Sequence, residues 1–259
     1  MKQRIISGAI IASITIACIL IGGIFFKLAC VLIALQGTRE FVKAVKKNDD
    51  WYLYAPMLVT ILLIFFFNKY GLEVLLIELL VLLTICVFKE DESFTDIAVT
   101  FMMSALLGYS LYYLNYVEEY SKFLMGYIFI IAYLTDVFAL FTGMKFGKHK
   151  LNERISPKKT IEGAIGGWII GGIVSLIYAI VFKFFGLDII VIIISSILLP
   201  VISQIGDLAY SAIKRFYGIK DFSNLIPGHG GILDRLDSLT FVTLLFGIII
   251  KLFAWKDYY

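Results

Sequence analysis

The class of fold to which this chain belongs is indicated by the stretch FLMGYIFIIAYLTDVFALFT, residues 123–142. It contains twenty residues and a single charge, Asp136, which matches the ~20 apolar residues that a helix needs to cross a bilayer. Its apolar residues follow one another instead of alternating with polar ones, and this favours a helix over a strand of a membrane barrel. The stretch therefore predicts a transmembrane helix that carries a carboxylate.

The composition of the whole 259-residue chain supports this prediction. Hydrophobic residues make up 60% of the chain and charged residues 17%, with a mean hydropathy of +0.91, whereas soluble domains average ~45–50% and ~25%. One soluble core could not bury so much apolar surface, and disorder requires the opposite composition. A net charge of +3 gives no indication of nucleic-acid binding. We predict an all-α, polytopic integral membrane protein.

Hydropathy predicts nine transmembrane segments, near residues 5–21, 24–36, 52–68, 71–88, 94–114, 123–142, 163–185, 187–208 and 238–254. The first two segments form one apolar run, 5–36. This run predicts either a single tilted helix or two short helices that meet around Gly22, Gly23 and Lys27. The first four segments look like a lipid-facing or packing region. Glu73 and Glu78 are exceptions, because a carboxylate inside a span tends to face a partner or a cavity, although Glu73 is close enough to a segment end to reach the membrane surface.

The distribution of basic residues predicts the orientation. With nine spans and the N-terminus in the cytoplasm, 17 of the 23 Lys and Arg residues fall on the cytoplasmic side, as the positive-inside tendency requires. We divide the chain into an N-terminal transmembrane scaffold, 1–120, and a C-terminal transmembrane region, 121–259, with cytoplasmic loops at 143–162 and 209–237.

The first of these loops contains the run Ser156-Pro157-Lys158-Lys159-Thr160. Ser156 can act as the N-cap of a helix whose first residue is Pro157. Backbone N–H groups at a helix N-terminus, together with two lysines, would bind phosphate. The alternative is that the lysines only orient the protein. Asp136, a carboxylate inside a span, is a functional candidate for the same region.

The second loop has the densest set of polar residues in the chain. On a helix, Asp207, Ser211 and Lys214 share one face, and Arg215 follows them. Asp234 and Asp237 share another helix face, three residues apart. Carboxylates among cations fit Mg²⁺-assisted phosphoryl or nucleotidyl transfer, because Mg²⁺ shares its oxygen ligands with substrate phosphates. The further residues of this set are Lys220, Asp221, Gly228, His229, Gly230, Gly231 and Arg235.

This second loop resembles the signature of the phosphatidate cytidylyltransferase family. The matching pattern is Ser211-x-x-Lys214-Arg215, then Lys220-Asp221-x-Ser223, then Pro227-x-His229-Gly230-Gly231-x-x-Asp234-Arg235-x-Asp237. The resemblance implies that CTP and phosphatidate give CDP-diacylglycerol and pyrophosphate. It also implies a homodimer of helical protomers and a requirement for Mg²⁺, with a monovalent cation as an optional second ion. The region 121–259 is then the catalytic one, and its active site is expected to face the cytoplasm of a plasma membrane of bacterial type.

The resemblance also implies roles for individual residues. Asp207, Asp234 and Asp237 are the expected metal ligands. Lys214, Arg215, Lys220, Asp221 and Arg235 are expected to act in catalysis beside Asp207 and Asp234. The expected substrate-binding residues are Asp136, Ser156, Lys158, Lys159, Thr160, Ser211, His229, Gly230 and Gly231.

Two alternatives to this function remain open from the sequence. The first is a related CTP-using lipid enzyme, either a CDP-archaeol-type synthase or a polyprenol or phytol kinase, which the identity of the product would distinguish, since a kinase leaves CDP and not pyrophosphate. A transporter would explain the spans and Asp136, but it would not explain the acid, base and glycine residues concentrated in one loop.

Overall fold

The computed structural model describes residues 2–46, 50–90, 92–182 and 187–253. In these residues the chain forms nine α-helices, one 3₁₀ turn and one short β-hairpin. The helices are α1 (Lys2–Ile21), α2 (Gly23–Lys46), α3 (Trp51–Phe66), α4 (Gly71–Phe88), α5 (Phe94–Tyr120), α6 (Lys122–Phe146), α7 (Ile161–Val181), α8 (Ile189–Phe216) and α9 (Leu233–Phe253). The strands are β1 (Lys150–Asn152) and β2 (Ser156–Thr160), and the 3₁₀ turn is Asn68–Tyr70.

Six segments of the described chain are long and apolar enough to cross a membrane. They contain α4 to α9, and α3 is apolar but shorter. The prediction of an all-α integral membrane protein is therefore confirmed, whereas the number of spans stays a prediction. Lys47, Lys183 and Lys256, which the orientation argument counted, lie outside the described residues, as do the ends of the predicted segments 163–185 and 238–254.

The apolar run 5–36 contains two helices and not one. The backbone turns at Gly22 and Gly23, whose φ angles are 70° and 56°. Glycine adopts such left-handed angles without the steric cost that other residues incur. The second helix, α2, continues ten residues beyond the predicted segment, to Lys46.

The chain divides into two compact units. The first contains residues 1–115 and 217–235, and the second contains residues 116–216 and 236–259. In the first unit Glu78 of α4 is buried and accepts a hydrogen bond from Ser104 of α5. The prediction that a carboxylate inside a span faces a partner is thus confirmed for Glu78, whereas Glu73 is exposed.

In the second unit, α6 and α7 pack closely along a stripe of glycines. Gly163, Gly167 and Gly171 are buried on α7. A Cβ atom on Gly163 or Gly167 would lie 2.6 Å from the carbonyl oxygen of Ala139 or Thr135 on α6. Small residues let helices in a membrane approach to this distance, so these glycines fix the position of α6 against α7.

The prediction that Ser156 caps a helix starting at Pro157 is wrong. Residues 156–160 form β2, which pairs in an antiparallel manner with β1, and α7 begins only at Ile161. Pro157 is compatible with the strand because it lies near the strand's beginning in a two-stranded hairpin. Thr160 takes the capping role, since its side-chain oxygen accepts a hydrogen bond from the Gly163 amide at 3.1 Å.

Thr160→Ala should lower the free energy of unfolding by about 1 kcal/mol, because the α7 N-terminus loses its cap. The unfolding midpoint of the purified protein in detergent should fall by about 2–4 °C. Thr160→Ser, which keeps the capping oxygen, is the matched control. Equal midpoints for Thr160→Ala and the unchanged protein would refute this role.

Candidate functional site

The second unit contains a pocket with a volume of about 460 Å³, a size typical of ligand sites. Residues of α6, the hairpin, the first turn of α7 and the middle of α8 line it. Six residues predicted to form the site line it: Asp136, Ser156, Lys158, Lys159, Thr160 and Asp207. The hairpin thus brings the two lysines to the same cavity as two carboxylates from α6 and α8.

Lys159 forms an ion pair with Asp207 across this pocket. The same carboxylate accepts a hydrogen bond from Ser211, one turn further along α8, at 3.3 Å. The predicted common face of Asp207 and Ser211 is therefore confirmed. Lys159 and Asp207 are both about one-quarter exposed, so either group remains accessible to a ligand in the pocket.

Further charged groups surround Asp207. Asp237 of α9 interacts electrostatically with Asp207, Lys214 and Asp136. Asp136 accepts a hydrogen bond from Ser238, the residue after Asp237, at 2.8 Å. Lys214 is buried. The second unit therefore places two further carboxylates and a buried ammonium group near the ion pair.

The donor atoms of this cluster suit a hard cation. Among residues 2–46, 50–90, 92–182 and 187–253, no group of three or more His, Cys, Asp or Glu side chains could hold a metal ion. Mg²⁺ does not need such a cage, because it binds through one or two carboxylates together with water and substrate phosphates. The neighbouring carboxylates of Asp207 and Asp237 meet that requirement.

The turn before the hairpin forms one edge of the pocket through Gly147. Glu162 of α7 accepts hydrogen bonds from the backbone amides of Lys148 and His149, at 3.0 Å and 3.2 Å. Its other oxygen lies 2.6 Å from Nδ1 of His149. A Cβ atom on Gly147 would collide with the Gly143 carbonyl oxygen. These contacts explain why residue 147 is glycine and why the first turn of α7 carries an acid.

Gln204 is a pocket residue that the sequence analysis missed. It lies on α8, three positions before Asp207. Its side-chain nitrogen donates to the Ala164 carbonyl at 3.1 Å and to the Pro200 carbonyl at 3.4 Å. The available signal was a glutamine within a predicted span, because polar side chains in such spans tend to face the interior of the helix bundle.

The first unit holds the segment that joins α8 to α9, residues 217–232. Both helices extend into the predicted loop 209–237, so this connection is shorter than predicted. It begins at Tyr217, whose hydroxyl donates to Asp96 at 3.0 Å. Burial and the Asp96 charge raise the pKa of Tyr217, so the phenol stays protonated and continues to donate. Asp96 also pairs with Lys46 at 3.1 Å.

Asp234 holds the glycine-rich part of this segment. One oxygen of its buried carboxylate accepts hydrogen bonds from the amides of Phe222 and Gly231, at 2.8 Å and 2.9 Å. Gly228 and Gly230 have φ angles of 78° and 84°, which favour glycine. Asp234 therefore fixes the backbone of the signature motif, whether or not it also binds a metal.

Glu40 of α2 is a second carboxylate on this segment, and the sequence analysis missed it. It is 2% exposed and accepts hydrogen bonds from the Ser223 hydroxyl at 2.8 Å and from the Ile232 and Leu233 amides at 3.0 Å. The sequence analysis treats the first four segments as a lipid-facing or packing region, and α2 continues one of them. The available signal was that Glu40 is the only acidic residue among the first 48.

The remaining motif residues differ in exposure. His229 is half-buried, and its Nδ1 lies 2.8 Å from the Ser7 hydroxyl of α1. Arg235 is half-buried, whereas Arg215, Lys220 and Asp221 are exposed. The structure thus places Lys220, Asp221, His229, Gly230, Gly231, Asp234 and Arg235 in the first unit, and the pocket residues with Ser211, Lys214, Arg215 and Asp237 in the second.

Comparisons with known proteins agree with the motif. The profile of the "Cytidylyltransferase family" matches residues 2–253. The phosphatidate cytidylyltransferase of Bacillus subtilis (strain 168) is 31% identical over 98% of this chain and 99% of its own length. That of Staphylococcus haemolyticus (strain JCSC1435) is 33% identical over 96% of this chain and 99% of its own. The resemblance seen in the sequence is confirmed, and the chain belongs to the cytidylyltransferase family.

Proposed function

We propose that this protein condenses CTP with phosphatidate to give CDP-diacylglycerol and pyrophosphate in phospholipid synthesis. The observation that carries the proposal is the pocket that joins Lys158 and Lys159 to Asp136 and Asp207. Such a pocket can neutralise substrate phosphates and hold a cation beside them. The names of the two relatives support the same reaction.

The chemistry requires positioning more than proton transfer. The phosphate of phosphatidate is already anionic near neutral pH, so one of its oxygens can attack the α-phosphorus of CTP directly. The bond from that phosphorus to the β-phosphate bridge oxygen breaks, and pyrophosphate leaves. Lys158, Lys159 and Lys214 would neutralise charge on the two anionic substrates, and the remaining cations proposed for this task are Arg215, Lys220 and Arg235.

Mg²⁺ is the proposed cofactor, with a monovalent cation as an optional second ion. Asp207 and Asp237 would hold it, and Asp234 is the third ligand that the motif implies. When bound, it would supply positive charge for the phosphate oxygens of CTP and for the leaving pyrophosphate. His229, Gly230 and Gly231 are proposed to border the nucleotide phosphates, and Asp221 is proposed to act in catalysis. Asp136, Ser156, Thr160 and Ser211 are proposed to line the substrate site.

The proposed arrangement in the membrane is a homodimer whose protomers each have nine spans, with the N-terminus and the active site on the cytoplasmic side. The support is the concentration of basic residues in the segments that this orientation places in the cytoplasm. Cysteine accessibility to an impermeant reagent, at positions 148 and 220 in intact cells and in inverted vesicles, would test the orientation.

The reaction is tested with purified protein, phosphatidate, Mg²⁺ and CTP labelled at either the α- or the γ-phosphate. We expect the α-label in extractable lipid and the γ-label in pyrophosphate, with both transfers lost in EDTA and restored by Mg²⁺. A lipid kinase would place the γ-label in lipid, and a transporter would label no lipid. Either result would overturn the proposed function.

A further inference from the structure

We propose that Glu40 is a positioning residue that holds the motif segment 217–232 and the first turn of α9 in their active conformation. The effects on kcat expected below rest on the proposed function, whereas the expected effects on hydrogen exchange do not. Glu40 lies on α2, more than 180 residues before its partners, and belongs to none of the motif elements described above.

The hydrogen bonds of Glu40 identify its role. One oxygen accepts from the Ser223 hydroxyl and the Ile232 amide, and the other accepts from the Leu233 amide. Gln36, one turn earlier on α2, donates to the first oxygen at 3.2 Å. These donors are neutral, and the carboxylate lies at the beginning of α9. That position favours a carboxylate because helix N-termini present unpaired amides and a positive dipole end.

The position of the Glu40 side chain also explains why residue 231 is glycine. A Cβ atom on Gly231 would collide with an oxygen of Glu40 and would lie 2.6 Å from its Cδ. The Gly231 amide donates at the same time to Asp234. Asp234 therefore binds the Gly231 amide, while Glu40 binds the next two amides and occupies the space that a side chain at position 231 would need.

Glutamine at position 40 should fail as a substitute. Its amide has one acceptor oxygen, whereas Glu40 uses two, so an NH₂ group would face a backbone N–H or the Ser223 hydroxyl. We expect Glu40→Gln to lower kcat about 10- to 100-fold, since a displacement of about 1 Å can cost a factor of that order. Glu40→Asp should retain more activity than Glu40→Gln, because it keeps both acceptor oxygens.

The matched control is Glu78→Gln. Glu78 is as buried as Glu40 and lies in the same unit, but its carboxylate accepts from Ser104 of α5 and not from the motif segment. We expect its activity to stay within about twofold of the unchanged protein. Equal losses for the two glutamine variants would assign the effect of Glu40 to general damage and overturn the proposal.

Two further measurements separate positioning from other roles. Hydrogen exchange at the amides of Ile232 and Leu233 should accelerate in Glu40→Gln and not in Glu78→Gln, and this holds even if the proposed reaction is absent. In a double-mutant cycle, adding Glu40→Asp should partly restore the kcat that Gly231→Ala loses, because the shorter side chain makes room for the new Cβ. The proposal would be refuted if these amides exchanged at the same rate in Glu40→Gln as in the unchanged protein. It would also be refuted if the kcat loss of the double variant were the product of the two single losses.

Discussion

Asp207→Asn should reduce kcat on the order of 10²- to 10³-fold, the range seen when one preorganised charge-stabilising group is removed. Asp207 lines the pocket, pairs with Lys159 and accepts a hydrogen bond from Ser211. Asparagine preserves the shape but removes the negative charge and one hard oxygen ligand. Transfer of the α-label of CTP into lipid measures the effect.

The control for this variant is Asp188→Asn, at the beginning of the same helix. Asp188 is exposed, and its carboxylate accepts a hydrogen bond from the Ile190 amide. Asparagine caps helices about as well as aspartate, so this variant should keep its activity. Activity of Asp207→Asn within a few-fold of the unchanged protein would remove Asp207 from the proposed metal site.

Asp234→Asn should abolish turnover, with a loss on the order of 10³-fold or more, while the protein remains folded. The side-chain carbonyl of asparagine can still accept from the Phe222 and Gly231 amides, which one carboxylate oxygen binds now. The motif segment should therefore keep its conformation, whereas the proposed metal ligand loses its charge. Turnover across a range of Mg²⁺ concentrations, together with the unfolding midpoint, gives the measurement.

Asp50→Asn provides the same chemical change within the first unit. Asp50 lies at the beginning of α3 and accepts a hydrogen bond from the Tyr52 hydroxyl at 3.0 Å. We expect its turnover to be unchanged. If Asp234→Asn turned over normally, Asp234 would have only the structural role seen here. If Asp234→Asn unfolded, the buried charge of Asp234 itself would be required for stability.

Much of the fold follows from local properties of the sequence. Long apolar runs predict helices because no other single element satisfies its own backbone hydrogen bonds in lipid. The break at Gly22 and Gly23 is one of two predicted possibilities, and the sequence alone does not distinguish them. The glycines of α7 favour close packing because their spacing places them on one face.

The hairpin could not be predicted in the same way. Ser156 and Pro157 are as suitable for the start of a helix as for the start of an edge strand. Pairing with residues 150–152 decides between the two, and α7 then begins at the next available cap, Thr160. A local pattern with two valid interpretations is thus resolved by a contact with another segment.

The candidate site could be predicted where its residues are close in sequence. Asp207 and Ser211 lie one helical turn apart, and their hydrogen bond follows from that spacing. The contact between Asp136 and Ser238 spans 102 residues, and that of Glu40 with Leu233 spans 193. No periodicity within one segment can indicate such pairs.

The hydrogen bonds of Glu40 also have a consequence for biogenesis. Glu40 is synthesised more than 180 residues before its partners Ser223, Ile232 and Leu233. Closing a loop of this length has an entropic cost that rises with its length, and contacts so distant in sequence form slowly. The motif segment can acquire its final conformation only after the ribosome has synthesised both α2 and the start of α9.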